Sequence, residues 1–269
     1  MTTEPRRVTT RRLLDMKRDG QRIVALTAYD ALFADLLDQS GVDVILVGDS
    51  LNTVLAFQPT TVSATLEQML YHSRLVVAGV RRALVVIDLP FLSYQVTIEE
   101  AKRNAGRALK ETGVAAVKLE GGGAIAPTVQ ALVEIGIPVM GHVGMTPQSV
   151  HAMGGYRVQG RETDAADRIL ADAKALEDAG AFAIVLELIP AALAKRVTGA
   201  LTIPTIGIGS GAHCDGQVLV LHDMLGLNER FTAKFVKHYA RLGDAVKTAV
   251  KAYSDDVRSG KYPDSDHSF

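Results

Sequence analysis

Residues 41–50 read GVDVILVGDS, and this stretch decides the fold that we expect. An apolar run rich in β-branched residues ends at a glycine, and an acid and a hydroxyl residue follow at once. Such a run is typical of a buried parallel strand. Asp49 and Ser50 would then stand at the carboxyl end of that strand, where the chain leaves the sheet.

The same pattern, an apolar run closed by a polar residue, recurs along the chain. Apolar runs predict strands at Ile23–Thr27, Gly41–Asp49, Leu84–Asp88, Ala115–Glu120, Ile137–Gly141, Phe182–Leu186, Ile203–Ile208 and, as a brief eighth, Gln217–Leu221. Helical segments separate most of these runs, so right-handed βαβ units should build a parallel sheet. At this length the strand count favours an α/β fold of the (β/α)8 TIM barrel type. An open doubly wound sheet is the alternative, but GIGSG at 207–211 does not fit its dinucleotide fingerprint.

We expect one barrel domain over residues 1–269. The chain of 269 residues is 48% apolar, which is enough for a large core, and no Pro- or Ser-rich linker divides its middle. An N-terminal helix at Thr9–Arg18 should precede the barrel, and a long C-terminal helix at about 235–257 should follow it. A long loop at Val143–Thr163 is of the kind that usually has a function or is disordered.

Composition and charge narrow the partners that we expect. The net charge is -1, and acids and bases are interspersed, so nothing indicates electrostatic binding to nucleic acid or to an anionic membrane. Small-molecule partners are the expectation that remains. One cysteine cannot form an internal disulfide, and residues 1–20 lack the apolar core of a secretory signal. We therefore expect a cytoplasmic protein.

Acids follow three consecutive predicted strands, at Asp49, Asp88 and Glu120. Neighbouring strands lie about 4.8 Å apart, so these carboxylates could converge. At a separation of about 4 Å and an effective dielectric of about 20, each like-charge pair costs roughly 4 kcal/mol, which a cation would relieve. Hard oxygen ligands without a Cys/His cluster favour magnesium over zinc. The alternative without a metal is that each acid only caps the helix that follows its strand.

Lys118 and Glu120 are two residues apart in a strand, so their side chains share a face. That face is the barrel interior if Leu119 packs under the helices. Lys118 then either forms an internal salt bridge or holds an anionic substrate beside the metal. Glu187 ends an apolar run and should be partly desolvated, which suits a general base, although a helix cap or a surface acid fits equally well.

Two further residues are candidates for supporting roles. His142 ends a predicted strand, but a lone histidine is more often a core residue with one satisfied ring nitrogen. Tyr29 follows the first strand and could simply pack.

Longer motifs carry a resemblance to a known family. They read LTAYD at 26–30, LVGDS at 46–50, DLPF at 88–91, VKLEGG at 117–122, GHVGMTPQS at 141–149, GYRVQGR at 155–161, IPTIGIG at 203–209 and CDGQVL at 214–219. In these motifs, and over roughly residues 9–260, the chain resembles the ketopantoate hydroxymethyltransferase family.

The resemblance implies a (β/α)8 barrel enzyme of pantothenate biosynthesis. Such an enzyme transfers a hydroxymethyl group from 5,10-methylenetetrahydrofolate to 3-methyl-2-oxobutanoate and gives ketopantoate. The matching positions imply one Mg²⁺ per subunit on Asp49, Asp88 and Glu120, keto-acid contacts from Asp49, Ser50, Asp88 and Lys118, and Glu187 as the catalytic proton acceptor. The resemblance also implies a homodecamer in which C-terminal helices pack between subunits.

Two other functions compete with this interpretation. Magnesium-dependent carbon–carbon lyases and mutases of the phosphoenolpyruvate/isocitrate lyase superfamily use similar strand-end carboxylates. Those lyases usually carry a loop cysteine in a Lys-Cys-Gly-His-like motif, which this sequence lacks. A non-catalytic keto-acid-binding barrel is the second alternative. Such a protein could lose its base, whereas Glu187 is present here together with the acids and Lys118.

Overall fold

The computed structural model describes residues 6–230 and 233–269 and contains a closed barrel of parallel strands. The strands are β1 Ile23–Thr27, β2 Val44–Val47, β3 Leu84–Asp88, β4 Ala116–Lys118, β5 Val139–Gly144, β6 Ala183–Glu187, β7 Thr205–Ile208 and β8 Gly216–Leu219. Each strand pairs with the next one in the chain, and β8 pairs with β1 to close the barrel. The predicted TIM barrel is confirmed.

Helices follow the strands in the alternation that parallel pairing requires. They are α1 Thr10–Arg18, α2 Ala31–Gln39, α3 Leu51–Val54, α4 Leu66–Gly79, α5 Ile98–Thr112, α6 Ala126–Glu134, α7 Thr163–Asp178, α8 Ala191–Ala200, α9 Leu221–Met224 and α10 Leu242–Ser259. Short 3₁₀ turns lie at Gly123–Ile125, Pro147–Ser149 and Ser265–His267. In the described part of the chain, no helix combines the length and the apolar character needed to cross a membrane.

The chain divides into two compact units, Met1–Val220 and Leu221–Phe269. The first unit holds the barrel with α1 to α8, and the second holds α9 and α10. The expectation of one domain over residues 1–269 stays a prediction. Residues 1–5, on which the expectation about a targeting signal partly rests, lie outside the described residues.

Side-chain caps define where the helices beside the barrel begin. The Thr65 hydroxyl accepts a hydrogen bond from the Gln68 N–H at 3.2 Å, and the Gln68 side chain accepts one from the Thr65 N–H at 2.8 Å. This reciprocal capping box starts α4. At the start of α5, the Thr97 hydroxyl accepts a hydrogen bond from the Glu100 N–H at 3.1 Å. That helix ends at Gly113, whose φ of 80° is the left-handed conformation that glycine adopts without strain.

The C-terminal helix starts later than predicted. Residues 235–241 are not helical, and α10 runs from Leu242 to Ser259. The N–H groups of Tyr239 and Leu242 instead donate to the carbonyls of Met224 and Leu225, both at 2.9 Å. These bonds to α9 and the residue after it replace the bonds to the preceding turn that a helix needs. Residues 235–241 are therefore held to α9 by backbone hydrogen bonds and do not continue α10 toward its N-terminus.

Two further features concern the residues after β2 and β5. The chain after Ser50 forms the short helix α3 at once. Strand β5 continues to Gly144, beyond the predicted end at Gly141, because its last residues pair with β6. This extension brings His142 into the sheet itself.

One glycine allows α4 to approach α2 closely. A Cβ added to Gly79 would lie 2.3 Å from the Ala31 carbonyl oxygen, whereas a Cβ added to Gly106 in α5 would have no heavy atom within 4 Å. We expect Gly79→Ala to destabilise the fold by about 1–3 kcal/mol because the helices must separate. Gly106→Ala, the matched control, should stabilise it by about 0.5–1 kcal/mol through helix propensity. Urea unfolding of both variants measures the difference, and a Gly79→Ala variant as stable as the control would contradict this close approach.

Candidate active site

Alternate residues of each strand point into the barrel, and this alternation carries polar groups to its carboxyl end. In β3, Leu84 and Val86 belong to the buried core cluster, so Asp88 faces the same way. The same step of two leads from other residues of that cluster to further polar groups, namely from Ala116 to Lys118 and Glu120, from Met140 to His142, and from Val185 to Glu187. The candidate site is thus the continuation of the core.

Lys118 is the cation at the centre of the site. Its neighbour across the β3–β4 ladder is Asp88, and the Lys118 Nζ lies 2.5 Å from Asp88 Oδ1 and 3.6 Å from Glu120 Oε1. Burial alone would lower the pKa of Lys118, but the carboxylates of Asp88, Glu120 and Asp49 raise it above its usual value. Lys118 is therefore a permanently charged group inside the protein. The predicted internal salt bridge exists, and Leu119 is buried on the other face as expected.

Asp49 and Asp88 lie together with little solvent around them. Each is 3% exposed, and the Asp49 backbone N–H donates to Asp88 Oδ2 at 3.0 Å. Burial is the main reason that the pKa of Asp49 lies well above its usual value, and repulsion by Asp88 and Glu120 adds to it. Burial likewise raises the pKa of Asp88, and the attraction of Lys118 offsets this only in part. An additional positive charge beside the two aspartates would therefore lower their pKa values and favour their ionised form.

Glu120 is better compensated than the two aspartates. Its Oε2 accepts the Gln148 backbone N–H at 3.0 Å, and its Oε1 lies near Lys118 and 3.4 Å from the Nδ1 of His142. Burial opposes ionisation of Glu120, but Lys118, His142 and the Gln148 N–H together outweigh it and lower the pKa below the usual value. Of the three acids that follow β2, β3 and β4, Glu120 is thus the one whose charge its surroundings favour.

His142 lies between two carboxylates. Its Nδ1 faces Glu120, and its Nε2 is 3.3 Å from Glu187 Oε2. Neither nitrogen reaches full hydrogen-bond geometry with a partner in the described residues. Burial and the nearby Lys118 lower the pKa of His142, but Glu120 and Glu187 outweigh them and raise it to about 9. His142 is buried like a core histidine, but each of its ring nitrogens faces a carboxylate and neither forms a full hydrogen bond within the described residues.

Glu187 stands at the edge of the site, with its side chain 15% exposed. The predicted partial burial is confirmed. Its backbone is fixed by the end of β5, since the Met145 N–H donates to the Glu187 carbonyl at 2.9 Å. Gly144 makes this approach possible, because a Cβ at that position would lie 2.3 Å from the same oxygen and φ is +97°. Leu188 follows Glu187 with a φ of 46°, a strained value for leucine that turns the chain away from the barrel.

The end of β2 brings a hydroxyl pair to the site. Gly48 occupies the inward position, and a Cβ there would lie 2.7 Å from the Ser50 Oγ and 3.5 Å from Asp88 Oδ2. The missing side chain leaves room for Ser50, whose Oγ lies 2.8 Å from the Tyr29 hydroxyl. Tyr29 is 1% exposed, so it packs inside the protein, as the simpler interpretation predicts. Its hydroxyl also keeps Ser50, a candidate substrate-binding residue, in place.

Sequence reasoning missed Gln148 and the bonding role of Tyr94. The Gln148 amide donates to Asp49 Oδ2 at 3.0 Å, and the Tyr94 hydroxyl accepts the Glu120 N–H at 3.0 Å. Both side chains are buried. Gln148 lies in one of the motifs quoted above, but an uncharged amide in a long loop gives no sign of which strand end it will reach.

The acidic groups fit a hard divalent cation by their chemistry. Within the described residues, no three His, Cys, Asp or Glu side chains are already arranged to hold a metal ion. Glu120 is engaged by three partners, whereas Asp49 and Asp88 are adjacent and have pKa values raised by burial and repulsion. Mg²⁺ is commonly held by one or two protein carboxylates, with water and substrate completing its shell. Asp49 and Asp88 therefore suit such an ion directly, and Glu120 adds negative charge beside it.

Comparison with known proteins places these residues in a family. A sequence model described as ketopantoate hydroxymethyltransferase matches residues 7–265. A protein named 3-methyl-2-oxobutanoate hydroxymethyltransferase from Syntrophus aciditrophicus is 56% identical over 264 residues, which cover 98% of this chain and 97% of that protein. One of the same name from Moorella thermoacetica is 56% identical over 263 residues, with 98% of each chain covered.

Solved structures show the same fold at low sequence identity. A phosphonopyruvate hydrolase, solved with oxalate and Mg²⁺, has a TM-score of 0.64 at 13% identity, covering 96% of this chain and 92% of that one. A 2,3-dimethylmalate lyase, described as a member of the PEP mutase/isocitrate lyase superfamily, has a TM-score of 0.60 at 18% identity, covering 95% and 90%. At these identities the similarity concerns the barrel alone.

The position of His142 between two acids predicts an unusual titration. In metal-free enzyme we expect its midpoint near pH 9, well above the roughly 6.5 of a free histidine. Because the folded-state pKa is raised, charged His142 contributes stability fully below about pH 6.5, and this contribution is lost as pH rises through about 9. NMR titration of the ring, assigned with a His142→Gln variant, measures the midpoint. Glu187→Gln should lower it, and Glu111→Gln on the surface should not. A wild-type midpoint at or below 6.5 would contradict the charged bridge.

Proposed function

The chain belongs to the ketopantoate hydroxymethyltransferase family, and from this premise we propose that it transfers a hydroxymethyl group from 5,10-methylenetetrahydrofolate to 3-methyl-2-oxobutanoate, giving ketopantoate for pantothenate biosynthesis. The observation that carries the proposal is the buried group of Asp49, Asp88, Glu120 and Lys118 at the barrel mouth, with Glu187 at its edge. The three acids can bind a divalent cation, the Lys118 ammonium can bind an anionic substrate, and the Glu187 carboxylate can accept a proton.

The keto acid would be held by Lys118, Ser50, Asp49 and Asp88. The Lys118 ammonium offers a desolvated positive charge to the substrate carboxylate, and an ion pair formed away from water is stronger than one at the surface. The Ser50 hydroxyl, kept in place by Tyr29 at 2.8 Å, can donate to a second substrate oxygen. Two fixed contacts orient the substrate, so that its C3 is presented to the protein base in one direction.

Asp49, Asp88 and Glu120 would hold one Mg²⁺ per subunit. The ion, when bound, supplies a Lewis acid that stabilises negative charge on the keto oxygen. The raised pKa values of Asp49 and Asp88 support this assignment, because both acids lack sufficient positive charge around them. Hydrogen bonds and charges from Gln148, Lys118 and His142 already keep Glu120 ionised next to them.

Glu187 would accept the proton from C3 of the keto acid. It is the acid of the group that retains partial exposure, at 15%, so a substrate can reach it from the mouth. Its backbone is fixed by Gly144 and Met145, and the His142 ring lies beside its carboxylate. A base held this way transfers protons without first reorganising, which general base catalysis requires.

The donor carbon would come from 5,10-methylenetetrahydrofolate. This carbon is bonded to two folate nitrogens, and both carbon–nitrogen bonds break in the transfer. The C3 carbanion equivalent forms a new carbon–carbon bond to it, and one water supplies the hydroxyl oxygen. The proton taken from C3 and the second proton of water replace the methylene carbon on the two nitrogens, so tetrahydrofolate leaves. The long loop after β5 would limit the access of other water to the reacting groups.

We further propose a homo-oligomer, with the homodecamer taken from the family resemblance. A stripe on α10 supports association, because its apolar side chains recur at helical spacing and are about half exposed. They are Val246 at 53%, Val250 at 57%, Tyr253 at 58% and Val257 at 45%. Exposed apolar stripes of this kind mark surfaces that bury themselves against a partner. The cytoplasmic location stays a prediction.

The two competing functions have weaker support. The lyase and mutase alternative rests on solved structures that share the fold at 13–18% identity. Fold alone does not assign a reaction, because one barrel supports many chemistries. A non-catalytic barrel has no need for Glu187 at the mouth beside Lys118 and the acids. No observation on the described residues favours either alternative over transfer.

Removing the base tests the proposed reaction at its first step. In wild-type enzyme with Mg²⁺, the C3 proton of 3-methyl-2-oxobutanoate should exchange with deuterium, and addition of 5,10-methylenetetrahydrofolate should yield ketopantoate. Glu187→Gln keeps the shape of the side chain but cannot accept the proton. We expect it to lower exchange and turnover by about 10²–10⁴-fold. Binding of the keto acid and Mg²⁺ should change little.

The matched control is Glu111→Gln on the surface of α5, which should exchange at the wild-type rate. NMR follows exchange, and calorimetry follows binding. Near-normal C3 exchange in Glu187→Gln would remove Glu187 from the role of base. Wild-type enzyme without folate-dependent product formation would refute the proposed function itself.

Neutralising Asp88 tests the metal assignment. Asp88→Asn keeps the side-chain size but removes one of the two best-placed negative charges, so we expect Mg²⁺ and keto-acid binding to weaken together, by about tenfold or more. Asp167→Asn, which removes an exposed acid paired with Arg196, is the matched control. Calorimetric titration with MgCl₂ and then with keto acid measures both steps. Unchanged Mg²⁺ affinity in Asp88→Asn would exclude Asp88 as a ligand.

A further inference from the structure

Gln148 has no role in the function proposed above, although it lies among the acids of the site. It is 5% exposed and belongs to the 3₁₀ turn Pro147–Ser149 that follows β5. Its partners, in contrast, stand at the ends of β2, β3 and β4. One uncharged residue therefore connects a long loop to three separate strand ends, two through its side chain and one through its backbone.

The nitrogen of the Gln148 amide donates to two oxygens. It lies 3.0 Å from Asp49 Oδ2 and 2.9 Å from the Leu89 carbonyl, next to Asp88. An amide nitrogen carries two hydrogens, so both are used. In the part of the chain that the structure describes, this amide is the one hydrogen-bond donor to the Asp49 carboxylate. The orientation of that carboxylate therefore depends on Gln148.

The oxygen of the Gln148 amide is fixed from the opposite side. It lies 2.8 Å from the Tyr94 hydroxyl and 3.1 Å from Gln95 Nε2. The Tyr94 oxygen also accepts the Glu120 N–H at 3.0 Å. The single hydrogen of the Tyr94 hydroxyl is shared between the amide oxygen and the Glu120 carbonyl, 2.9 Å away. The Leu89 carbonyl sets the orientation of the amide, because the reverse orientation would place two oxygens against each other. Tyr94 and Gln95 then hold the amide oxygen from the opposite side.

The backbone of the same residue completes the connection. The Gln148 N–H donates to Glu120 Oε2 at 3.0 Å. A single residue therefore holds Asp49 through its side chain and Glu120 through its main chain. It does so without adding charge to a cluster that already contains several acids.

We propose that Gln148 is a positioning residue for the reaction, which holds Asp49 and Glu120 in the orientation that binds Mg²⁺ and the keto acid, with the Leu89 carbonyl and Tyr94 holding the two ends of its amide. The inference rests on the proposed function and adds a residue to it. Groups that hydrogen-bond to metal-ligating side chains typically change metal affinity or activity by about 10–100-fold when they are removed.

Gln148→Met tests the proposal, because methionine is close to glutamine in length and cannot donate to Asp49. Gln130→Met is the matched control, since the Gln130 amide makes the same kind of bond to a carboxylate, Glu134, on the surface at 2.9 Å. Calorimetric titration of each full-length protein uses MgCl₂ alone as the probe. We expect Gln148→Met to bind Mg²⁺ about 10–100-fold more weakly. Its KM for keto acid should rise and its activity should recover in part at high Mg²⁺, whereas Gln130→Met should match the wild type.

These readouts separate positioning from a merely structural role. A structural role would lower the melting temperature of Gln148→Met and leave the Mg²⁺ affinity of the folded protein within twofold of the wild type, and that result would overturn the proposal. If Gln148→Met does not fold, Tyr94→Phe gives the same test, because it keeps the amide and removes a hydroxyl that holds the amide oxygen in place. Tyr94→Phe should also weaken Mg²⁺ binding, and an unchanged affinity would overturn the proposal.

The two proposals fail in different ways. Wild-type enzyme that neither binds Mg²⁺ nor exchanges the C3 proton would refute the proposed function and this inference with it. Wild-type enzyme that does both, with a Gln148→Met variant that binds Mg²⁺ equally well, would refute the role of Gln148 alone.

Discussion

Repulsion between carboxylates that are buried together is the constraint on which the site depends. Asp49, Asp88 and Glu120 are each at most 6% exposed. Their charges can coexist there only if cations stand among them, because water cannot screen the repulsion. Lys118 compensates part of the negative charge through its contacts with Asp88 and Glu120. His142 compensates another part through its contacts with Glu120 and Glu187. Burial, together with the repulsion that these two cations leave uncompensated, raises the pKa values of Asp49 and Asp88.

The barrel produces this constraint through the same alternation that builds its core. Residues two apart in a strand share a face, so Leu84 and Val86 pack inside and Asp88 follows them to the mouth. Parallel register then sets Asp88 beside Lys118. Core and site are consecutive layers of one set of side chains, which explains why the carboxyl ends of barrel strands can hold charges in fixed positions. A shift of one residue in the register would exchange Lys118 with Leu119 and remove the site entirely.

The features that can be predicted from the sequence are those that depend on residues close together in the chain. The strands and the inward side of Lys118 and Glu120 depend on spacing within a few residues, and the sequence contains that spacing. The place of Gln148 depends on how a long loop folds back over three strand ends, and no local pattern encodes this. The pKa of His142 depends on Glu120 and Glu187, which come from other strands, so the residues next to His142 in the sequence do not predict it. The start of α10 is unpredictable for a similar reason, since the N–H groups of Tyr239 and Leu242 bond to Met224 and Leu225, well before them in the chain.

The balance of charge also bears on which ligand the site can accept first. When all are ionised, the acids Asp49, Asp88, Glu120 and Glu187 outnumber the cations Lys118 and His142 at the mouth by two. An anionic keto acid entering this surplus would be repelled, and the charge of Lys118 is already shared with Asp88 at 2.5 Å. A divalent cation carries the charge that removes the surplus, and it would leave Lys118 able to serve the substrate. A monovalent cation would leave half of the surplus in place, so the charge count supports the same kind of ion as the oxygen chemistry of the donors.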